Sequence, residues 1–214
     1  MPDVVFRVAL SLVLVLALQQ LGSAGIIKAK ATLAPLLLES AWEKSLLDKG
    51  RPTKPWPWAD TWPVARLQVP SLGVSQFVLA GDAGNSLAFG PGHNLASAAL
   101  GSDGPAMVGG HRDTHFRFLE NLKTGQRIVL QLPGGAFRHY RVKYMMVDNL
   151  TENAVWPNVG EQLLLVTCYP FEADFYGGSQ RYVVIAEPEP AQNPGLSSLI
   201  AQAFPAIGHN RVSL

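Results

Sequence analysis

The sequence predicts an all-β domain, a barrel or a sandwich, behind an N-terminal membrane helix. Three observations predict it. From Val64 onward, short apolar runs are punctuated by Gly, Pro and Asp, the pattern of many short strands joined by turns. Leu163-Leu164-Leu165-Val166 is a continuous hydrophobic run, which suits a strand covered on both faces. The 20 residues from Val8 to Ile27 carry no charge at all.

Composition narrows the function. The chain has 214 residues, 48% of them hydrophobic and 15% charged, enough for one domain with a good core plus an accessory segment. A net charge of +1 excludes the basic face of a nucleic-acid binder. A single cysteine, Cys168, excludes an intrachain disulfide framework and a Cys-rich zinc site.

At about 1.5 Å per residue, the uncharged segment Val8–Ile27 would span roughly 30 Å, the thickness of a hydrocarbon core. The alternative is a cleaved signal peptide, with Arg7 before an apolar Val8–Leu18 and cleavage near Gly22-Ser23-Ala24. The anchor is favoured because the apolar run resumes at Ile26-Ile27 before Lys28 and Lys30. Charge does not fix its orientation, since Arg7 and the terminal amine roughly balance those lysines. Residues 28–47 read as a juxtamembrane helix with Leu33, Leu36, Leu37, Ala41 and Trp42 near one stripe, and Pro35 fits best in a first turn. Residues 48–63 hold four prolines and Trp56, Trp58 and Trp62. That composition predicts an extended connector that wraps onto the following domain, because exposed indoles leave apolar surface in water. An interfacial Trp belt is the alternative.

Seven strands follow: 65–69, 76–79, 105–108, 127–132, 137–142, 163–166 and 181–186. Pro133-Gly134-Gly135 suits a hairpin turn, and His115 to Leu122 a helical turn. The tail, residues 188–214, has four prolines and little periodicity, and is expected to be weakly ordered. No internal repeat is present.

Cys168 is expected at or near the C-terminal end of its strand, because Pro170 cannot donate to a sheet ladder. A lone cysteine is commonly a small buried hydrophobe. To act as a nucleophile it needs a base or a cation nearby, since a free thiol is only a few per cent thiolate at neutral pH. Of the five histidines, His111 stands out. It follows the strand Met107-Val108 and two glycines, Gly109 and Gly110, which let another group approach closely. Arg181 opens the last strand, 13 residues after Cys168. An arginine heading an apolar face is either a rim salt bridge or a donor to a developing oxyanion. His111 and His115 have a spacing that could bind zinc on a helix, but the two glycines argue against a helix there.

Gly110-His111-Arg112-Asp113-Thr114-His115-Phe116, then Leu165-Val166-Thr167-Cys168-Tyr169-Pro170-Phe171, then Arg181, resemble the three signature sites of sortases, the membrane-anchored cysteine transpeptidases. The resemblance is closest to the sortases of Gram-negative bacteria and covers most of residues 64–187. Leu67 to Val74, Phe89-Gly90-Pro91-Gly92-His93 and the Trp-rich approach agree with it in order. One departure is Leu164, where the family often carries Thr, and this leaves the substrate subclass open.

The resemblance implies a closed sortase-type β-barrel of about eight strands with short helical turns, so one strand is missing from the list above. It implies that Cys168 attacks the carbonyl after Thr in a Leu-Pro-x-Thr-Gly-like C-terminal sorting signal, forming a thioester that is passed to an amine acceptor on the cell envelope. His111 would act as acid and base, and Arg181 would hold the substrate carbonyl or the oxyanion. Thr167, Tyr169 and His93 would bind substrate, with Asp113 or Thr167 supporting the pair. No cofactor is expected. No metal is expected either, because residues 148–162 offer only Asp148, Glu152 and Glu161 to calcium. The implied organisation is an anchor at 1–27, a helix and connector at 28–63, a catalytic barrel at 64–187 and a tail at 188–214. The barrel would lie on the outer, periplasmic face of the cytoplasmic membrane. A hydrolytic cysteine peptidase of the same fold and a non-catalytic anchored binding module are the alternatives.

Overall fold

The computed structural model describes residues 2–84, 86–149, 160–172 and 178–190. Within the first helix, the side chains described are those of residues 6, 7, 10–20 and 32–47. Most of the expected tail, residues 191–214, lies outside this set.

Eight strands close a barrel: β1 (Pro63–Val69), β2 (Val74–Ala80), β3 (Gly92–His93), β4 (Pro105–Gly109), β5 (Arg127–Gln131), β6 (Phe137–Asn149), β7 (Gln162–Cys168) and β8 (Gln180–Pro188). Their order around the barrel is β1-β2-β3-β4-β7-β8-β6-β5. The β2–β3 and β4–β7 pairs are parallel. Alternation sorts the side chains. In β1, Ala65, Leu67 and Val69 are buried inside while their neighbours are only partly covered. Leu163, Leu165, Val108 and Val184 join them in the barrel core. Leu164, Val166 and Val183 form a second cluster with Met107 and Ile185. By the same alternation this cluster lies on the outer face of β4, β7 and β8.

The missing eighth strand is β3, a two-residue bridge too short to leave a periodic signal. β6 also runs seven residues past the expected Val142. A register shift between Val142 and Tyr144 breaks the period-2 pattern there, and Tyr144, Met146 and Val147 point into solvent.

The first helix, α1, is continuous from Pro2 to Leu47, with Pro35 in its interior rather than in a first turn. Its docked face is Ala34, Leu38, Ala41, Trp42 and Ser45, whereas Leu33 and Leu36 are exposed. The expected stripe is therefore offset. The small residues Ala34 and Ala41 allow close approach, so Trp42 packs on Phe77 of β2 with ring centroids 5.8 Å apart. Arg66 of β1 pairs with Glu39 and lies 4.7 Å over the Phe77 ring.

The expected membrane span falls in the N-terminal part of α1. Among the described residues, no helix is long and apolar enough to cross a membrane. Leu10, Leu12, Val13, Leu14, Val15, Leu16 and Leu18 are all exposed.

The connector packs on the barrel. Thr61 donates its hydroxyl to the Ala80 carbonyl at 2.7 Å, and Trp56 meets Phe89 edge-on at 5.2 Å. Trp58 remains in solvent.

Candidate active site

β7 delivers Cys168 to the surface: Leu163 to Thr167 are buried, and Cys168, the last residue of the strand, is exposed. Cys168 is the direct cross-strand partner of Arg181 in β8. Directly opposed residues of an antiparallel pair share one face, with Cβ atoms about 5 Å apart. On the other flank, β4 runs parallel to β7 with Gly109 level with Val166. The pairing continues one residue further, since the Gly110 N–H donates to the Val166 carbonyl at 3.1 Å. The next residues along the two chains, His111 and Cys168, therefore come level. His111, Cys168 and Arg181 make a row across three adjacent strands, just past the apolar floor of Met107, Leu164, Val166, Val183 and Ile185.

The Arg181 guanidinium donates from Nη1 to the carbonyls of Gly178 at 2.6 Å and Gln180 at 2.9 Å. Among the described residues no carboxylate pairs with it.

The two turns that carry His111 and Cys168 are tied together by two arginines to which the sequence assigned no role. Arg112 is only 6% exposed and binds Asp113 in bidentate fashion, Nε to Oδ1 at 2.8 Å and Nη2 to Oδ2 at 3.1 Å. Its Nη1 donates to the Pro170 carbonyl at 2.6 Å, two residues past Cys168. Arg117 donates to the Phe171 carbonyl at 3.1 Å. The hydrogen bond from Arg112 holds the Asp113 carboxyl below its usual pKa. Nothing in the sequence marks Arg112 as buried.

Gly110 is required by Phe116: a Cβ there would lie 2.7 Å from the Phe116 ring, which is fully buried. His115 is half-buried, and burial, then the neighbouring His111, lowers its pKa. Its carbonyl accepts from Gln76 at 3.0 Å. Among the described residues, no group of three His, Cys, Asp or Glu could hold a metal ion. Glu161 instead accepts the Tyr140 hydroxyl at 2.6 Å.

The expected substrate-binding residues lie elsewhere. Thr167 is 2% exposed, and its hydroxyl donates to the Gly110 carbonyl at 2.8 Å. It braces the His111 turn against β7 and has no surface for a peptide. Tyr169 packs toward the barrel core, stacked on Tyr182 and edge-on to Phe171. His93 is buried with Nε2 2.9 Å from the Ala98 carbonyl. It is paired with Val108, so it shares the face opposite to that of Gly109 and Cys168.

The profile of the Sortase domain matches residues 67–189. The chain belongs to the sortase family. Sortase D of Bacillus subtilis (strain 168) is 32% identical over 120 residues, 55% of this chain, and the chain spans 60% of that relative's length. The sortase D5 transpeptidase structure of Clostridium perfringens superposes with a TM-score of 0.58 at 19% identity, covering 74% of this sortase and 99% of the other chain. Sortase C-1 of Actinomyces oris gives a TM-score of 0.51 at 27% identity, covering 60% and 73%. These organisms are Gram-positive, so the expected affinity to Gram-negative sortases is not something these relatives show.

Proposed function

We propose that this sortase is a membrane-anchored cysteine transpeptidase, closest to the enzymes of Gram-negative bacteria. It cleaves a Leu-Pro-x-Thr-Gly-like C-terminal sorting signal after Thr and transfers the acyl part to an amine on the cell envelope. The observation that carries this reading is the row His111, Cys168, Arg181 on three neighbouring chain segments, beside the buried apolar cluster of Leu164, Val166 and Val183.

The Cys168 thiolate adds to the Thr carbonyl carbon. The carbonyl electron pair moves to oxygen, and Arg181, swung away from its own loop carbonyls, stabilises that oxyanion. Collapse breaks the C–N bond as the His111 imidazolium gives a proton to the leaving amine. In the second step an acceptor amine attacks the thioester, His111 takes its proton, and the C–S bond breaks to return the thiolate.

The anchor is supported by the apolar side chains exposed on every side of α1 from Leu10 to Leu18, a pattern that suits lipid rather than water. The barrel then lies on the outer face of the cytoplasmic membrane. An amine acceptor that raises turnover of a signal peptide supports transpeptidation, and turnover indifferent to amine supports a hydrolytic peptidase. A Cys168 thiol that resists alkylation in the folded chain, with or without His111, would instead favour a binding module.

A further inference from the structure

The loop after β2 crosses the site on a track of two glycines. Gly92 of β3 and Gly109 of β4 are register partners. A Cβ on Gly92 would meet the Gly81 carbonyl oxygen at 2.0 Å and the Asp82 Cα at 2.7 Å. A Cβ on Gly109 would meet the Asp82 side chain, Cβ at 3.5 Å and Oδ2 at 3.8 Å. The chain at Gly81-Asp82 thus lies directly over Gly92 of β3, and the Asp82 side chain sits within van der Waals range of the place a Cβ at 109 would take.

That place is on the outer face that carries Cys168. Gly110 faces inward, because its missing Cβ points at the core ring of Phe116. Gly109 therefore faces outward, on the side of Met107, Val166 and Cys168. Gly109 is level with Val166, two residues below Cys168, which puts Asp82 about 7 Å along that face from the nucleophile's row. The carboxylate is half-buried and oriented, since Asn94 Nδ2 donates to Oδ2 at 2.9 Å, while Asn94 Oδ1 accepts from Ala96 N at 2.8 Å. Among the described residues no lysine or arginine pairs with Asp82.

We infer that Asp82 is a specificity-determining residue that favours a lysine or arginine in the substrate, at the variable position just before the Thr whose carbonyl is attacked. The inference rests on the peptide-substrate reading above. The acyl half of the substrate must stay bound between the two steps, while the amine half must leave and be replaced. Among the described residues the outer-face apolar cluster lies on one side of Cys168, along β4, β7 and β8, so the acyl half is assigned to that side. An extended peptide advances about 3.3 Å per residue, so the residue before Thr lies about half-way from the Cys168 row to the Asp82 row, and a long basic side chain there spans the remaining distance. A carboxylate preset on a partly desolvated face selects by attraction and, against an acidic competitor, by repulsion.

The test compares acylation of Cys168 in the full-length chain, in detergent, by Leu-Pro-Lys-Thr-Gly and Leu-Pro-Glu-Thr-Gly peptides. The expected result is a kcat/KM ratio of about tenfold in favour of lysine, the scale of a screened, half-buried charge contrast, compressed by added salt. Asp82→Asn, which keeps the size and the bond from Asn94, brings the ratio near one, and Asp82→Lys inverts it. A native ratio near one, or a ratio unchanged in Asp82→Asn, overturns the inference while leaving the transpeptidase reading intact. If neither peptide acylates a Cys168 that still alkylates, the peptide-substrate reading fails and the inference fails with it.

Discussion

Cys168 and Arg181 face each other as direct partners in the β7–β8 ladder. The relationship is set by backbone register, so it holds before any substrate arrives. The guanidinium itself is turned toward the Gly178 and Gln180 carbonyls, bonds that a substrate oxyanion can replace. Arg181→Ala is expected to lower the acylation rate about 10²- to 10³-fold, the loss seen when one oxyanion donor is removed. Arg181→Lys recovers only part of it, because a point charge lacks the planar fork. Single-turnover acylation kinetics check this; equal rates for all three would remove Arg181 from the chemistry.

Arg112 links the His111 turn to the Cys168 turn through Asp113 and the Pro170 carbonyl. Arg112→Met should destabilise the fold by about 1–3 kcal/mol, because the Pro170 carbonyl loses its donor. It should also slow acylation well beyond what lost stability explains, since small misplacements of reacting groups are costly. Denaturant titration and acylation at saturating peptide separate the two effects.

Gly110 has no room for a side chain. Gly110→Ala would press a methyl group against the Phe116 ring and is expected to cost about 1–3 kcal/mol as overpacking. Phe116→Leu in the same chain should relieve part of that cost, which a double-mutant cycle would show.

Two groups set opposite pH limits on stability. Burial, then the bond to Glu161, raises the Tyr140 pKa well above 10.0. A raised folded pKa contributes stability that is present below pH 10.0 and lost as pH rises beyond it, so alkaline unfolding should begin there, and Tyr140→Phe should weaken that dependence, the part left belonging to Tyr182, which burial also raises. His115 is lowered from 6.5. The unfolded chain then takes up its proton first, and stability falls as pH drops below 6.5. His115→Gln should flatten that fall, as read by thermal melts across pH.

The parts of the fold legible in the sequence are those where one residue pattern has one physical meaning. β7 is covered on both faces and stopped by Pro170, so Cys168 could be placed near its end, although the apolar run marks only 163–166 of a strand that runs Gln162–Cys168. Arg181 was visible as a charge heading an apolar strand. β3 was not, because two residues have no period. The second half of β6 was hidden by the shift at Val142 and by apolar side chains that face water. In α1 the leucines suggest a stripe, but the docked face is marked by small residues, Ala34 and Ala41, whose value lies in what they allow to approach. His93 and Thr167 are close to the signature motifs in sequence, yet pleating turns them away from the face that carries Cys168. Arg112 and Asp82 were invisible for a common reason: burial of a charge and the crossing of a loop over two glycines are tertiary facts.

The most direct test of the account is intact-protein mass spectrometry of the full-length chain mixed with a Leu-Pro-x-Thr-Gly peptide library. The account predicts a mass gain equal to a peptide cleaved after Thr, absent in Cys168→Ala, diminished in His111→Ala and discharged by an added amine. A Cys168 that alkylates readily but gains no acyl mass from any peptide would contradict it.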